Sequence, residues 1–323
     1  MKEKVYVSEP IHERGYAILE KDLEVVRGND LSRISEEAKG CSAILVRSAV
    51  VTAEIMDAVP TLRVIAKHGM GVDNIDVKHA TEKGILVVNA PLSNLNSVAE
   101  HIVMLVLSLA KRTPLMDCLT KSGEFKKRTA YVNRELKGAT LGMIGFGRIP
   151  RLTARRLGGF DMRLIAYDPF LPADAGKEFG VTMVSEDEVL AQSDFVVVHT
   201  QLNESTRHLM NGEKFSKMKP DAYFINACRG PVVDTQALVS ALKSGKIAGA
   251  GLDVFDPEPP MPGDPLFAMD NVVLSPHNAA LTDGALVRMA EDSAQGIADY
   301  LNGLRPAYPV NPEVLRGTEV PVE

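Results

Sequence analysis

The chain has 323 residues, 45% hydrophobic and 24% charged, with 36 lysines and arginines against 42 aspartates and glutamates and a formal net charge of −6. That length exceeds what one hydrophobic core usually organises, so two domains are expected, and basic residues scattered under a negative net charge exclude a broad nucleic-acid surface. Cys41, Cys118 and Cys228 form no CxxC or Cys/His spacing, which argues against a zinc site or a disulfide framework and for a metal-free protein of the reducing cytoplasm.

The amino terminus, Met1-Lys2-Glu3-Lys4, leads into a strand without the apolar run and small-residue cleavage site of a secretory signal. Strands are predicted over 5–8, 43–46, 63–66 and 86–89, with helices between them. One helix starts near Asp76, with Asn74 or Asp73 as cap candidate, and stops before Gly84. A helix over 98–112 is apolar on nearly every side. Its most apolar stretch, 102–110, falls short of the roughly 20 residues that cross a bilayer, so the spacing predicts a buried helix, covered within one domain, by both domains, or by a second subunit. His101 on this helix and His199 at a strand end are assigned structural roles.

Further strands are predicted over 140–145, 163–168, 195–199, 223–226, 248–253 and 272–275. A helix runs from a cap at Asp234 through Ala237, Leu238, Ala241 and Leu242 to a stop at Gly245. The tail after Gly303, rich in Pro and Val, loses this periodicity. Short apolar strands alternating with helices are the pattern of parallel sheets covered on both faces, an α/β, doubly wound class.

Within the second part, strand 140–145 runs into Gly145-Phe146-Gly147-Arg148-Ile149-Pro150 and then a helix. Gly145 allows the sharp turn and Gly147 a close backbone approach to a pyrophosphate, while the first-turn N–H groups and helix dipole attract its charge. Pro150 replaces the usual third glycine. A proline is tolerated in the first turn, so the backbone of Arg148 and Ile149 is expected to carry the phosphate contacts. About twenty residues on, Asp168 ends a strand where a carboxylate accepts both ribose hydroxyls and repels a ribose phosphate. NAD is therefore expected over NADP.

Three strand ends downstream carry Arg229, Glu258 and His277. Hydride addition to a keto carbon builds negative charge on oxygen, which a site must polarise and then protonate. Arg229 offers a fork of donors for a carboxylate and the adjoining carbonyl, His277 an imidazole as acid and base, and Glu258 a carboxylate to hydrogen-bond that imidazole. Each has an ordinary alternative as solvated charge, loop surface or packed ring. Their order behind a nucleotide fingerprint favours reversible reduction of a 2-keto acid, with no metal required.

These residues, together with Val46-Arg47-Ser48, Gly69-Met70-Gly71-Val72-Asp73-Asn74-Ile75-Asp76 and Asn89-Ala90-Pro91, resemble the D-isomer-specific 2-hydroxyacid dehydrogenases, particularly the phosphoglycerate dehydrogenase-like branch, over nearly the whole chain. The resemblance implies a Rossmann-type cofactor domain, 98–288, inserted into a flavodoxin-like substrate domain made of 1–97 and 289–323. The helices near Val98 and over 283–302 would be the crossings, with the active site in the cleft.

It also implies that the backbone of Met70 and Gly71 holds the substrate carboxylate and that Arg47 lies near the far end of the substrate. Thr200, Leu202 and Thr206 would lie beside the adenosine, and Cys228 and Asp253 beside the nicotinamide. Gln201, Cys228 and Ser93 stand where the family often has proline, alanine and glycine. A homodimer or homotetramer joined through cofactor domains is expected, without a serine-binding regulatory domain. The substrate is expected to be a small anionic acid, with 3-phosphoglycerate, hydroxypyruvate or glyoxylate, and sulfolactate all compatible with Arg47, Lys67 and His68. An anionic far end is preferred. The alternative is an NAD(H)-sensing corepressor-like binding protein of the same fold.

Overall fold

The computed structural model describes residues 2–317 and divides them into two units. One runs to Asn94 and resumes at Ala280; the other spans Leu95–Ala279. The sequence-based bounds, 97/98 and 288/289, shift for a packing reason. Ala280, Ala285 and Leu286 pack with Ala90 and Met289 in the first unit, whereas the helix Leu95–Lys111 contributes Ile102, Leu105, Val106 and Leu109 to the core of the second. Residues 318–323 of the expected substrate domain lie outside the described residues.

The first unit holds β1 (Lys4–Val7), β2 (Glu24–Arg27), β3 (Ala43–Val46), β4 (Val64–Lys67) and β5 (Leu86–Val88). They form one parallel sheet in the order β2-β1-β3-β4-β5, the flavodoxin-like arrangement. Side chains alternate across it. Tyr6, Ile44, Val46, Ile65 and Val87 build one buried face; Val5, Val7, Leu45, Val64 and Leu86 build the other, against Leu19, Ala294, Ile297 and Tyr300. Each such aliphatic side chain removed from water contributes about 1.5–3 kcal/mol, which is why strands buried on both faces read as continuous apolar runs. The tail after Gly303 is tied back: Asn311 accepts the Val87 N–H at 2.7 Å and donates to Thr81 and Ile85.

The second unit holds β6 (Thr140–Ile144), β7 (Arg163–Tyr167), β8 (Val181–Met183), β9 (Phe195–Val198), β10 (Tyr223–Asn226), β11 (Gly249–Leu252) and β12 (Val272–Leu274). Their order, β12-β11-β10-β9-β6-β7-β8, is parallel throughout. It reverses direction at β6, where a Rossmann sheet has its switch point and its ligand crevice.

Two strands went unread in the sequence, β2 and β8, and both sit at sheet edges. Only one position of β8 is buried and none of β2, so neither carries the apolar run that marks its neighbours. Asp76 itself caps the helix Val77–Glu82, accepting the His79 N–H at 2.9 Å, in place of Asn74 or Asp73. Asn74 is engaged elsewhere, by Lys67 at 2.7 Å and the Ala49 carbonyl at 2.5 Å. The apolar helix Leu95–Lys111 is covered by the second sheet along one side, while Met104 remains 39% exposed. No helix of the described residues is long and apolar enough to cross a membrane.

Candidate active site

Gly145 closes β6 with φ of 89°, and a Cβ there would lie 2.4 Å from the His199 carbonyl oxygen. Only glycine fits this turn. Gly147 differs: nothing lies within 4 Å of where its Cβ would be, so packing within the protein does not demand glycine, and the open space beside its backbone is room for a ligand to approach closely. The helix Arg148–Leu157 begins there with Gly147 at its cap, and buried Pro150 sits in the first turn as expected. Arg151 is turned back, donating to the Phe146 carbonyl at 3.1 Å, and the first-turn N–H groups of Arg148 and Ile149, which have no intrahelical acceptor, are the donors a helix start can offer an anion.

Asp168 follows β7. Its Oδ2 accepts the Phe146 N–H and its Oδ1 the Phe170 N–H, each at 3.0 Å. Each oxygen keeps a lone pair for a hydroxyl donor. The Thr200 hydroxyl and His199 Nδ1 are buried without a hydrogen-bond partner among the described residues, and burial followed by the Arg229 charge pushes His199 down to about 4. Leu202 packs half-buried against the apolar core. Thr206 is occupied locally, donating to the Gln201 carbonyl at 2.6 Å and accepting the Asn203 N–H at 2.8 Å, so its hydroxyl shapes the loop. A glycine cradle, a two-lone-pair carboxylate and an unsatisfied hydroxyl fit a dinucleotide.

Arg229 follows β10 in a turn organised by Asn226, which accepts from Cys228 N–H and Sγ and donates to the Arg229 carbonyl at 2.9 Å. The Arg229 guanidinium is partly exposed and donates to the Cys228 carbonyl at 2.7 Å. A Cβ on Gly230 would fall 1.7 Å from the Phe255 carbonyl oxygen. That close approach lays the Arg229 turn against the loop bearing Glu258. Glu258 Oε1 lies 2.5 Å from His277 Nδ1, so the carboxylate and imidazole meet as the sequence predicts. His277 stands at φ 48°, a left-handed backbone rare for residues other than glycine. Asp253, fully buried, bonds through both carboxylate oxygens to protein groups of the His277 turn.

In the first unit, Met70 and Gly71 lie in a loop fixed by Asn89, which donates to the Met70 carbonyl at 2.7 Å, and by the Ala90 N–H on the Gly69 carbonyl at 2.9 Å. Ser93 ties to Asp292 and accepts from Arg288. Arg47 donates to the Pro10 carbonyl at 2.9 Å. Lys67 is turned onto the Arg47 carbonyl and Asn74, and His68 is buried, held down to about 4 by burial and then by Arg47. Of these three basic residues, His68 is therefore neutral at physiological pH. Sequence reasoning missed Glu9, whose carboxylate gathers the N–H groups of Arg47, Ser48 and Ala49; no motif marks it. A cavity of about 640 Å³ around Tyr16 and Arg27 contains none of the predicted site residues.

The D-isomer specific 2-hydroxyacid dehydrogenase NAD binding domain matches residues 103–279. A glyoxylate reductase from Korarchaeum cryptofilum is 39% identical over 98% of this chain and 98% of its own length. A D-3-phosphoglycerate dehydrogenase from Archaeoglobus fulgidus is also 39% identical over 95% of this chain, which spans only 59% of that longer protein. Among solved structures, an NADPH-dependent glyoxylate/hydroxypyruvate reductase from Sinorhizobium meliloti, in complex with NADP and malonate, superposes with a TM-score of 0.85 at 29% identity, covering 96% of this chain and 97% of that one. The fingerprint turn, the parallel sheets and the similarity in sequence agree: the chain belongs to the D-isomer-specific 2-hydroxyacid dehydrogenases and carries their NAD-binding domain.

Proposed function

We propose that the protein reduces a small 2-keto acid of the glyoxylate or hydroxypyruvate type to the D-2-hydroxy acid with NADH, and runs the reverse oxidation. The observation that carries this reading is the 2.5 Å pairing of Glu258 with His277 Nδ1, with the loop that bears Glu258 packed on the Arg229 turn. Glu258 orients the ring so that Nε2 is the nitrogen that passes a proton to the substrate oxygen. Arg229 pairs with the substrate carboxylate and polarises the adjoining carbonyl, where charge develops. The nicotinamide, when bound, supplies or accepts the hydride.

For the cofactor, the Asp168 carboxylate at the ribose favours NADH, since a 2′-phosphate there meets a like charge. The NADPH-dependent relative shows that the fold alone does not decide this. For the substrate, neutral His68 and inward-turned Lys67 leave Arg47 as the group that meets an anionic far end. Small acids with one carboxylate are therefore preferred over 3-phosphoglycerate or sulfolactate types. A cytoplasmic homodimer or homotetramer paired through the exposed side of the Leu95–Lys111 helix completes the reading. Turnover of a 2-keto acid panel with NADH tests it: rates with glyoxylate or hydroxypyruvate support it, and negligible rates with every acid would favour a nucleotide-sensing binding protein.

A further inference from the structure

Asp253 holds three successive backbone amides of the turn that carries His277. Its carbonyl oxygen accepts the His277 N–H at 2.8 Å, Oδ1 the Asn278 N–H at 3.0 Å and Oδ2 the Ala279 N–H at 3.0 Å. A left-handed residue without a glycine's freedom persists only where its surroundings over-determine it, and these three bonds do so for His277. Behind the carboxylate lies a second layer. The Ser275 hydroxyl donates to Asp253 Oδ1 at 2.6 Å, and His101 Nε2 lies 2.8 Å from Ser275 Oγ and 3.3 Å from Oδ1.

The proton order in this chain is fixed by valence. Burial opposes ionisation of Asp253, yet the bonds from His101, Ser275 and the Ala279 N–H outweigh it and hold its carboxyl below the usual range, so it is an acceptor only. Ser275 has one proton and spends it on Asp253. Its oxygen must then accept from His101, which places a proton on His101 Nε2.

We propose that His101 and Ser275 are positioning residues for the reaction: acting through Asp253, they aim the His277 imidazole and thereby set the rate of proton delivery without contributing to binding. This rests on the reading of His277 as the proton donor. A helix residue some 170 positions away in sequence from the turn thus belongs to the catalytic apparatus.

The test uses the full chain with Ser275→Ala, His101→Leu and His101→Gln. Ser275→Ala and His101→Leu lower kcat about tenfold, with KM for keto acid and NADH changed less than about twofold, as expected for a misaimed transition-state group. His101→Gln, whose side-chain N–H replaces Nε2–H, recovers kcat to within about threefold of the parent. In the cofactor-free protein, the ¹⁵N-histidine ring signals of His277, assigned through His277→Ala, move in Ser275→Ala and His101→Leu and return in His101→Gln. Unchanged kcat in Ser275→Ala, equal losses in the Leu and Gln variants, or an unmoved His277 signal each overturn the proposal. If the parent protein turns over no 2-keto acid, the functional reading fails by itself, and the ring signals still decide whether His101 and Ser275 aim His277.

Discussion

Replacing Glu9 with glutamine isolates the clasp that shapes the Arg47 loop. Glu9 accepts N–H groups from Arg47 at 2.8 Å, Ser48 at 2.9 Å and Ala49 at 3.3 Å, with the hydroxyls of Ser8 and Ser48 added. Burial opposes its ionisation, yet the Ser48 hydroxyl and N–H, the Arg47 N–H and the Ser8 hydroxyl prevail and hold it down to about 2 from 4.5. That drop corresponds to about 3 kcal/mol, which solvent reaching the half-exposed side chain trims to about 1–2 kcal/mol. Glutamine keeps the shape but turns an amide donor toward a cluster of donors. Because the folded carboxyl titrates below its unfolded value, its contribution is fully present above about pH 4.5 and is lost as pH falls toward 2. Urea unfolding followed by far-ultraviolet circular dichroism, since the chain has no tryptophan, should show Glu9→Gln less stable by about 1–2 kcal/mol at pH 7. The gap should shrink steadily between pH 5 and pH 3. An equal gap at pH 7 and pH 3, or none at pH 7, would refute the role assigned to the clasp.

Three further outcomes follow from the site. His277→Ala should lower kcat by about 10²-fold or more with NADH affinity nearly unchanged; retained turnover in a steady-state assay removes His277 from the mechanism. Arg47→Ala should raise KM for a doubly charged substrate more than for glyoxylate, and equal effects count against a far-end role. Asp168→Ala should reduce the preference for NADH over NADPH by about tenfold in kcat/KM, and a preference left intact, or a parent enzyme already favouring NADPH, shows that other groups select the cofactor.

The parts of the fold that the sequence disclosed are those where burial is symmetrical. Strands such as Ala43–Val46 and Phe195–Val198 are buried at every position, so their composition alone announces a parallel sheet. The edge strands Glu24–Arg27 and Val181–Met183 are not, and they passed unread. In the site, the sharp turn at Gly145 and the place of Asp168 just after β7 were legible because the fingerprint has a fixed spacing. Arg229, Glu258 and His277 were legible only through their shared order. His101 was set aside because its partners, Ser275 and Asp253, lie more than 150 residues downstream and no local pattern connects them. The inward turn of Lys67 and the burial of His68 were equally hidden, since a basic residue in a sequence shows its charge but not the groups that surround it.

Glu9, Asp168 and Asp253 share one device. Each follows a parallel strand, β1, β7 or β11, and each accepts at least one backbone N–H from the loop that leaves the adjacent strand, β3, β6 or β12. The geometry favours this, because parallel strands all end on one side and their outgoing loops diverge with unpaired N–H groups facing one another. A carboxylate there, an acceptor with several lone pairs and no proton to misdirect, satisfies two or three amides at once. Asparagine or glutamine cannot replace it without presenting a donor to donors. The loops so fixed are those bearing Arg47, Gly147 and His277, three of the residues assigned to substrate, cofactor and proton transfer. A carboxylate at such a strand end therefore rigidifies the neighbouring loop whether or not it touches a ligand, and Asp168, with lone pairs left over, is placed to do both.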